Sequence, residues 1–145
     1  MLMLVLTFAM QPGWQLLGMD ARAAFLQSEN IDRLLLLRLP GRHPPPGRVP
    51  HQVVVALGSI YGTYDASRGY YQHSRAIMRS EGWQELALER GCYALPGTDG
   101  PCALAHTHVD DLLCAWDGQP STAEHIAMVQ RRLHMVRHPD AGFTY

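Results

Sequence analysis

The sequence predicts a single mixed domain, α/β or α+β, and three observations carry that expectation. Short apolar runs end at Gly, Pro or Asp. Two longer segments place apolar residues at helical spacing. A strong turn signal, PGTDGP, separates two short apolar runs. At 145 residues the chain is long enough for one hydrophobic core and too short for two.

Taken in order, residues 3–11 form a continuous apolar segment that reads as a buried helix, stopped by Pro12-Gly13. The opening ten residues are far short of the roughly 20 needed to span a bilayer, and they lack a charged leader region and a small-x-small cleavage site. Residues 14–19 (WQLLGM) and 34–39 are strand candidates. Residues 40–50, PGRHPPPGRVP, carry five prolines and two glycines and must be a loop, since proline fixes φ and removes a donor. Positions 66–79 have helical spacing, with Tyr70, Ile77 and Met78 toward one side and Gly82 as the stop. Residues 92–95, 103–107 and 112–116 read as strands. Ser121 is placed as the cap of a last helix, with Glu124 completing a capping box and Ile126, Val129, Leu133 and Val136 on one face.

Composition excludes several classes. Hydrophobic residues make up 47% of the chain, which argues against disorder, and a net charge of -1 argues against a freestanding basic nucleic-acid-binding domain. All twelve positive residues are Arg. Cys92, Cys102 and Cys114 are odd in number and form no C-x-x-C, which points to reduced thiols filling a core in an intracellular setting.

The chemistry concentrates in residues 105–113, AHTHVDDLL. Adjacent aspartates between apolar strands are costly, because desolvation and like charge both oppose ionisation. A divalent cation removes that cost, and hard carboxylate oxygens suit Mg²⁺. Asp110 and Asp111 need a third carboxylate. Asp20, which follows the apolar WQLLGM, supplies one if the two segments pair, although it also suits a helix N-cap. Phe25 lies five positions on, where a flat ring could pack under a sugar or simply fill core. Read from the other end, His106-x-His108-x-Asp110 resembles the opening of the metallo-β-lactamase zinc motif. That motif would need a further His where Asp111 stands, and His125, His134 and His138 are expected to face solvent near the last helix.

Four segments carry a resemblance in register: LLGMDARAAFLQSE, ALGSIYGTYDASRGYYQHSRAIMRSEGW, CYAL and HTHVDDLLCA. Together they resemble reverse transcriptases of copia-type long-terminal-repeat retrotransposons, over residues 4–145. The resemblance implies an α+β fold, a palm-like antiparallel sheet backed by helices with part of the fingers, truncated at both ends and spanning 1–145. It implies RNA-directed DNA polymerase activity, with Asp20, Asp110 and Asp111 as catalytic residues holding Mg²⁺, for which Mn²⁺ can substitute. Phe25 matches the sugar-gating aromatic, and Arg68 is retained in residues 59–71, the segment that lies against nucleotide and template. The implied partners are an RNA or DNA template-primer, deoxynucleoside triphosphates and the integrase and ribonuclease H domains of a polyprotein. The implied setting is a cytoplasmic particle or the nucleus, with no membrane.

Two positions depart from the family pattern. His108 stands where an aromatic, commonly Tyr, precedes Val-Asp-Asp, which should alter contact with the primer end. Asp65-Ala66-Ser67 stands for Gln-Ala-Pro, and Asp65 is unfavourable near a triphosphate unless it faces away or pairs with Arg68. The basic fingers strands and the thumb lack counterparts, so an incomplete fragment or an inactive relic serving protein interaction is the alternative expectation. Arg131, Arg132 and Arg137 are expected on a solvated face.

Overall fold

A computed structural model describes residues 2–28, 33–87 and 89–138. Glu29, which closes the first segment of the resemblance, and the terminal residues 143–145 lie outside them. The architecture is α+β: a mostly antiparallel framework with three helices among the described residues. Strands β1 (Gln15–Ala21), β4 (Gln84–Glu85), β5 (Cys92–Pro96), β6 (Pro101–His108), β7 (Asp111–Trp116) and β8 (Met135–Arg137) form one sheet in the order β4-β5-β6-β7-β1-β8. All of its pairings are antiparallel.

Strand alternation sorts the sheet into two faces. Leu17, Met19 and Ala21 of β1, Ala103 and Ala105 of β6 and Leu112 and Cys114 of β7 look toward α2 (Ala66–Ser80) and α3 (Pro120–Arg132). There they meet Tyr70, Ile77, Met78, Ile126, Val129 and Leu133 in the main core. On the other face Leu104 and Ala115 meet Val5 of α1 (Leu2–Ala9), with the Phe8 and Trp14 rings tilted against each other at 5.1 Å beside them. Each face therefore has its own apolar cover, which is why β7 reads as an unbroken apolar run rather than an alternating one. No helix among the described residues is long and apolar enough to cross a membrane.

Several local expectations are corrected. β1 runs through Asp20 to Ala21 instead of stopping at Met19, so Asp20 is inside a strand and caps no helix. The last helix begins with Pro120 at its first position and Gln119 before it, with no side-chain cap. Pro sets φ and gives up an amide that has no intrahelical partner, so it starts the helix one turn position ahead of the expected Ser121–Glu124 box. That helix ends at Arg132, and His134 takes a left-handed φ of 49°. The chain then turns into β8, where Met135 takes the buried place and Val136 is exposed at 39%. Gly82 does stop α2, with φ +88° and its N–H donated to the Arg79 carbonyl at 3.1 Å.

The Pro-rich loop closes a separate hairpin, β2 (Leu35–Arg38) against β3 (Val53–Ala56), whose second strand was not anticipated. Neither face of this hairpin is fully buried, and Leu36, Val53 and Val55 stand outward together at more than half exposure. Its anchor to the body is Arg33, which holds Asp65 at the start of α2 through two bonds of 2.9 and 3.1 Å.

Candidate active site

β6 and β7 are joined by a two-residue turn, Val109-Asp110, because His108 and Asp111 are register partners. Val109 occupies the left-handed region at φ 56°. A β-branched residue is strained there, and turns of this length demand a positive φ in order to match strand twist. Asp111 is thus the first residue of β7 rather than part of the turn.

The neighbouring strand completes the arrangement. In the antiparallel β1–β7 ladder Asp20 stands directly opposite Asp111, and the Ala21 N–H donates to the Asp110 carbonyl at 2.8 Å. Directly opposed residues have Cβ atoms about 5 Å apart on one face. The pairing that the sequence reading required is present, and it is antiparallel. Asp20 is half-buried while Asp110 and Asp111 are exposed. By alternation Asp20 and Asp111 share the face that carries α1, but Ala115, which α1 covers, lies four residues or roughly 13 Å further along β7. The carboxylate end of the sheet is therefore clear of that helix.

Among the described residues no three His, Cys, Asp or Glu side chains close into a set ready to hold a metal ion. Asp111 instead lies 3.7 Å from His138 Nε2, through its Oδ1. In donor chemistry Asp20, Asp110 and Asp111 would suit a hard divalent cation, since carboxylates supply only oxygen. Register pairs Asp20 with Asp111, and Asp110 stands beside them in the turn. Of the histidines, His108 is the register partner of Asp111 and His138 is in contact with it. His106 is partly buried 3.8 Å from Glu89, while His125 is exposed, as the sequence predicts, with its Nδ1 2.9 Å from the Glu81 carbonyl. Burial pushes the His106 imidazole below its ordinary value, against the pull of Glu89.

Tyr70 lies in the core on the helix-covered face of the sheet, opposite the face that Asp20 and Asp111 share. Its side chain is buried at 2% exposure, and its hydroxyl has no hydrogen-bond partner among the described residues. Burial first, then the charges of Asp110 and Asp20, push the phenol well above its ordinary range, which keeps it a neutral donor. The sequence reading placed Tyr70 on the packed side of α2 but gave it no part in the site.

Phe25 rides on a 3₁₀ turn, Ala24–Gln27, entered through Ala23 at φ 50°. Gln27 Nε2 fastens this turn by donating to the Arg22 carbonyl at 2.7 Å and the Leu133 carbonyl at 2.9 Å. The Phe25 ring is half-buried, 5.3 Å from Tyr61 and edge-on to Tyr70 at 6.4 Å. It thereby joins the core and also borders exposed Tyr61.

Arg68 is placed apart from the aspartates. It lines a groove with Tyr71, Gln72, Arg75, Arg79 and Arg90 on the outer side of α2. Asp65 does not pair with it, because Arg33 has taken that carboxylate. His108 is exposed, opposite Asp111. Arg131, Arg132 and Arg137 are exposed, as the sequence predicts, and Arg132 also pairs with Glu81 at 2.6 Å.

No protein-family model matches the chain, and no curated protein matches it significantly.

Proposed function

We propose that this chain is the palm of an RNA-directed DNA polymerase of the copia type, carrying out nucleotidyl transfer from deoxynucleoside triphosphates to a primer hydroxyl. The observation that carries this reading is the register of β1 and β7, which sets Asp20 opposite Asp111 and ties Asp110 to Ala21. Three carboxylates from segments roughly ninety residues apart have no packing reason to meet at one sheet end, where like charges repel.

In this reading Asp20, Asp110 and Asp111 hold Mg²⁺. When bound, the ion supplies positive charge to the attacking hydroxyl and the departing pyrophosphate. The left-handed Val109 lies in the turn that joins β6 to the paired carboxylates. Phe25, backed by Tyr61 and Tyr70, limits the room beside the sugar, where a 2′-hydroxyl would have to fit.

A second reading is an inactive, retroelement-derived module that serves protein association. It is favoured by the outward apolar residues Leu34, Leu36, Val53, Val55 and Leu57 of the β2–β3 hairpin. The test is Mg²⁺- or Mn²⁺-dependent extension of a primed RNA template by the purified chain beside the Asp110→Asn/Asp111→Asn variant. Extension that vanishes in the variant supports the polymerase. Absence of both extension and metal binding in the wild type leaves the second reading.

A further inference from the structure

The β2–β3 hairpin is apolar on both of its sides. Its strand residues are three Leu, three Val, one Ala and one Arg. Strands of that composition are the pattern of a sheet covered on both faces. Here one side is half-buried and the other is open. Register stacks the open side in rungs, with Leu36 opposite Val55 and Arg38 opposite Val53. Leu34 and Leu57, one position beyond the Leu35–Ala56 pair, extend it at 73% and 80% exposure. Five large apolar side chains so aligned form one patch, which scattered surface residues do not.

Charge is equally one-sided. From Arg33 to Tyr64 the chain holds four Arg and no Asp or Glu. Arg33 is taken by Asp65. Arg38 stands at the last rung, and Arg42 and Arg48 lie in the Pro-rich loop that closes that end. All three are exposed, and none makes a hydrogen bond or ion pair with a described residue. The leucines thus occupy one end of the patch and the free cations the other.

The two features together select the occupant. A second copy of the chain would bring three unpaired cations against three more. A lipid surface would strand the outer edges of both strands in hydrocarbon, because β2 and β3 pair only with each other among the described residues. A phosphate chain would use the arginines and leave the leucines in water. An amphipathic helix with carboxylates beside its apolar stripe uses both. Successive rungs are about 7 Å apart, so three of them span about 14 Å, or some two and a half turns of helix. Residues at i, i+3 or i+4, and i+7 of such a helix reach every rung.

We propose that the open face of the β2–β3 hairpin docks an acidic amphipathic helix of another protein. Its apolar stripe lies on the leucine and valine rungs, and its carboxylates meet Arg38, Arg42 and Arg48. This rests on the second reading above for the surface alone, since neither the aspartates nor a metal takes part.

The experiment is fluorescence anisotropy of three labelled peptides with the full chain, in EDTA. One carries Leu at helical spacing with Glu on its flanks, one has Lys in place of each Glu, and one scrambles the first. The two readings fail separately: metal-dependent extension would overturn the inactive module and leave peptide binding as it is. The Glu peptide should bind saturably, and the scrambled one at least about tenfold more weakly. Leu36→Ser/Val55→Ser should weaken the Glu peptide about tenfold. Arg38→Glu keeps the apolar rungs, and should weaken the Glu peptide while strengthening the Lys peptide, an exchange that lost folding does not produce. Arg131→Glu makes the same charge change on α3 and should bind as the wild type does. No saturable binding, equal binding of the scrambled peptide, or an equal effect of Arg131→Glu overturns the proposal. So does a concentration-dependent dimer that Leu36→Ser/Val55→Ser abolishes, since the face would then belong to a second copy. Sedimentation with phosphatidylserine vesicles, lost in that variant, overturns it in favour of a lipid surface.

Discussion

Asp20 and Asp111 face one another as register partners across two hydrogen-bonded strands, with His108 flanking Asp111 on β6 and Val136 flanking Asp20 on β8. Like charges directly opposed in a sheet are destabilising, and the exposed His138 contact to Asp111, at 3.7 Å, offsets little of this. The site is thus held together by the sheet against its own electrostatics, as a cation site is when its charge has to come from outside.

The first prediction follows from that conflict. In EDTA, Asp111→Asn should be more stable than the wild type by about 0.5 kcal/mol, a rise of 1–2 °C in melting temperature. With Mg²⁺ the order should reverse, because only the wild type gains stability from the ion. Thermal denaturation with and without Mg²⁺ measures both. A variant that is less stable than wild type in EDTA would mean that repulsion is not the dominant interaction there.

A second prediction concerns Gly69, in the first half of α2. A Cβ at this position would lie 3.0 Å from Ser59 Oγ and 3.3 Å from Ser28 Cβ. Gly69→Ala gains about 1 kcal/mol of helix propensity but overpacks the contact by about 1–3 kcal/mol, so the variant should be destabilised or at best neutral. Ser28 Oγ donates to the Phe25 carbonyl at 2.6 Å, so pushing Ser28 also shifts the turn that carries Phe25. Urea midpoints should show Ser59→Ala recovering part of the loss in the double variant. If the two changes prove additive, the helix is not seated on Ser59.

How much of this was legible in the sequence differs by residue. The helix over α2, the turn around PGTDGP and the pairing of the Asp20 and Asp110-Asp111 segments were readable because period and turn chemistry act locally. Strand β3 was not, because four consecutive Val and Ala residues after a Pro-rich loop match a buried helix as well as a strand. The end of the last helix was hidden in His134. A left-handed histidine is uncommon, and Val136 kept the helical phase even though the chain had already turned into β8. Of the site, the carboxylates were legible from residue type and order. The hydrogen-bonded surroundings of Glu85 were not, since they depend on packing that only the fold creates.

Glu85 supports a prediction about acid. Burial raises its carboxyl, but hydrogen bonds from Tyr71, Arg75 and the Gly91 N–H outweigh that and hold it below the ordinary value of 4.5. A depressed folded value means that its stabilisation is present above 4.5 and is lost as pH falls through the lower folded value. Glu85→Gln should therefore be less stable than wild type near neutrality, and the two stability curves should converge in acid. Urea unfolding at neutral pH and across the acid range reads this. Parallel curves throughout would show that the carboxylate contributes no proton linkage.

The last prediction tests whether the hairpin's strain belongs to the site. Val109 sits at φ 56°, where an L-residue other than Asn or Gly loses about 1–2 kcal/mol and a β-branched one is least at ease. Asn accepts the same conformation, so Val109→Asn should raise stability by about 1 kcal/mol without moving Asp110 or Asp111. Proline, fixed near φ -65°, cannot adopt it, so Val109→Pro should break the two-residue turn and the Ala21–Asp110 bond that depends on it. Melting temperature and Mn²⁺ binding, measured on all three proteins, separate two cases. If the left-handed turn positions the carboxylates, Asn binds the ion as valine does and proline does not. If proline binds it equally well, the aspartates are positioned by β1 alone and the turn is only a connector.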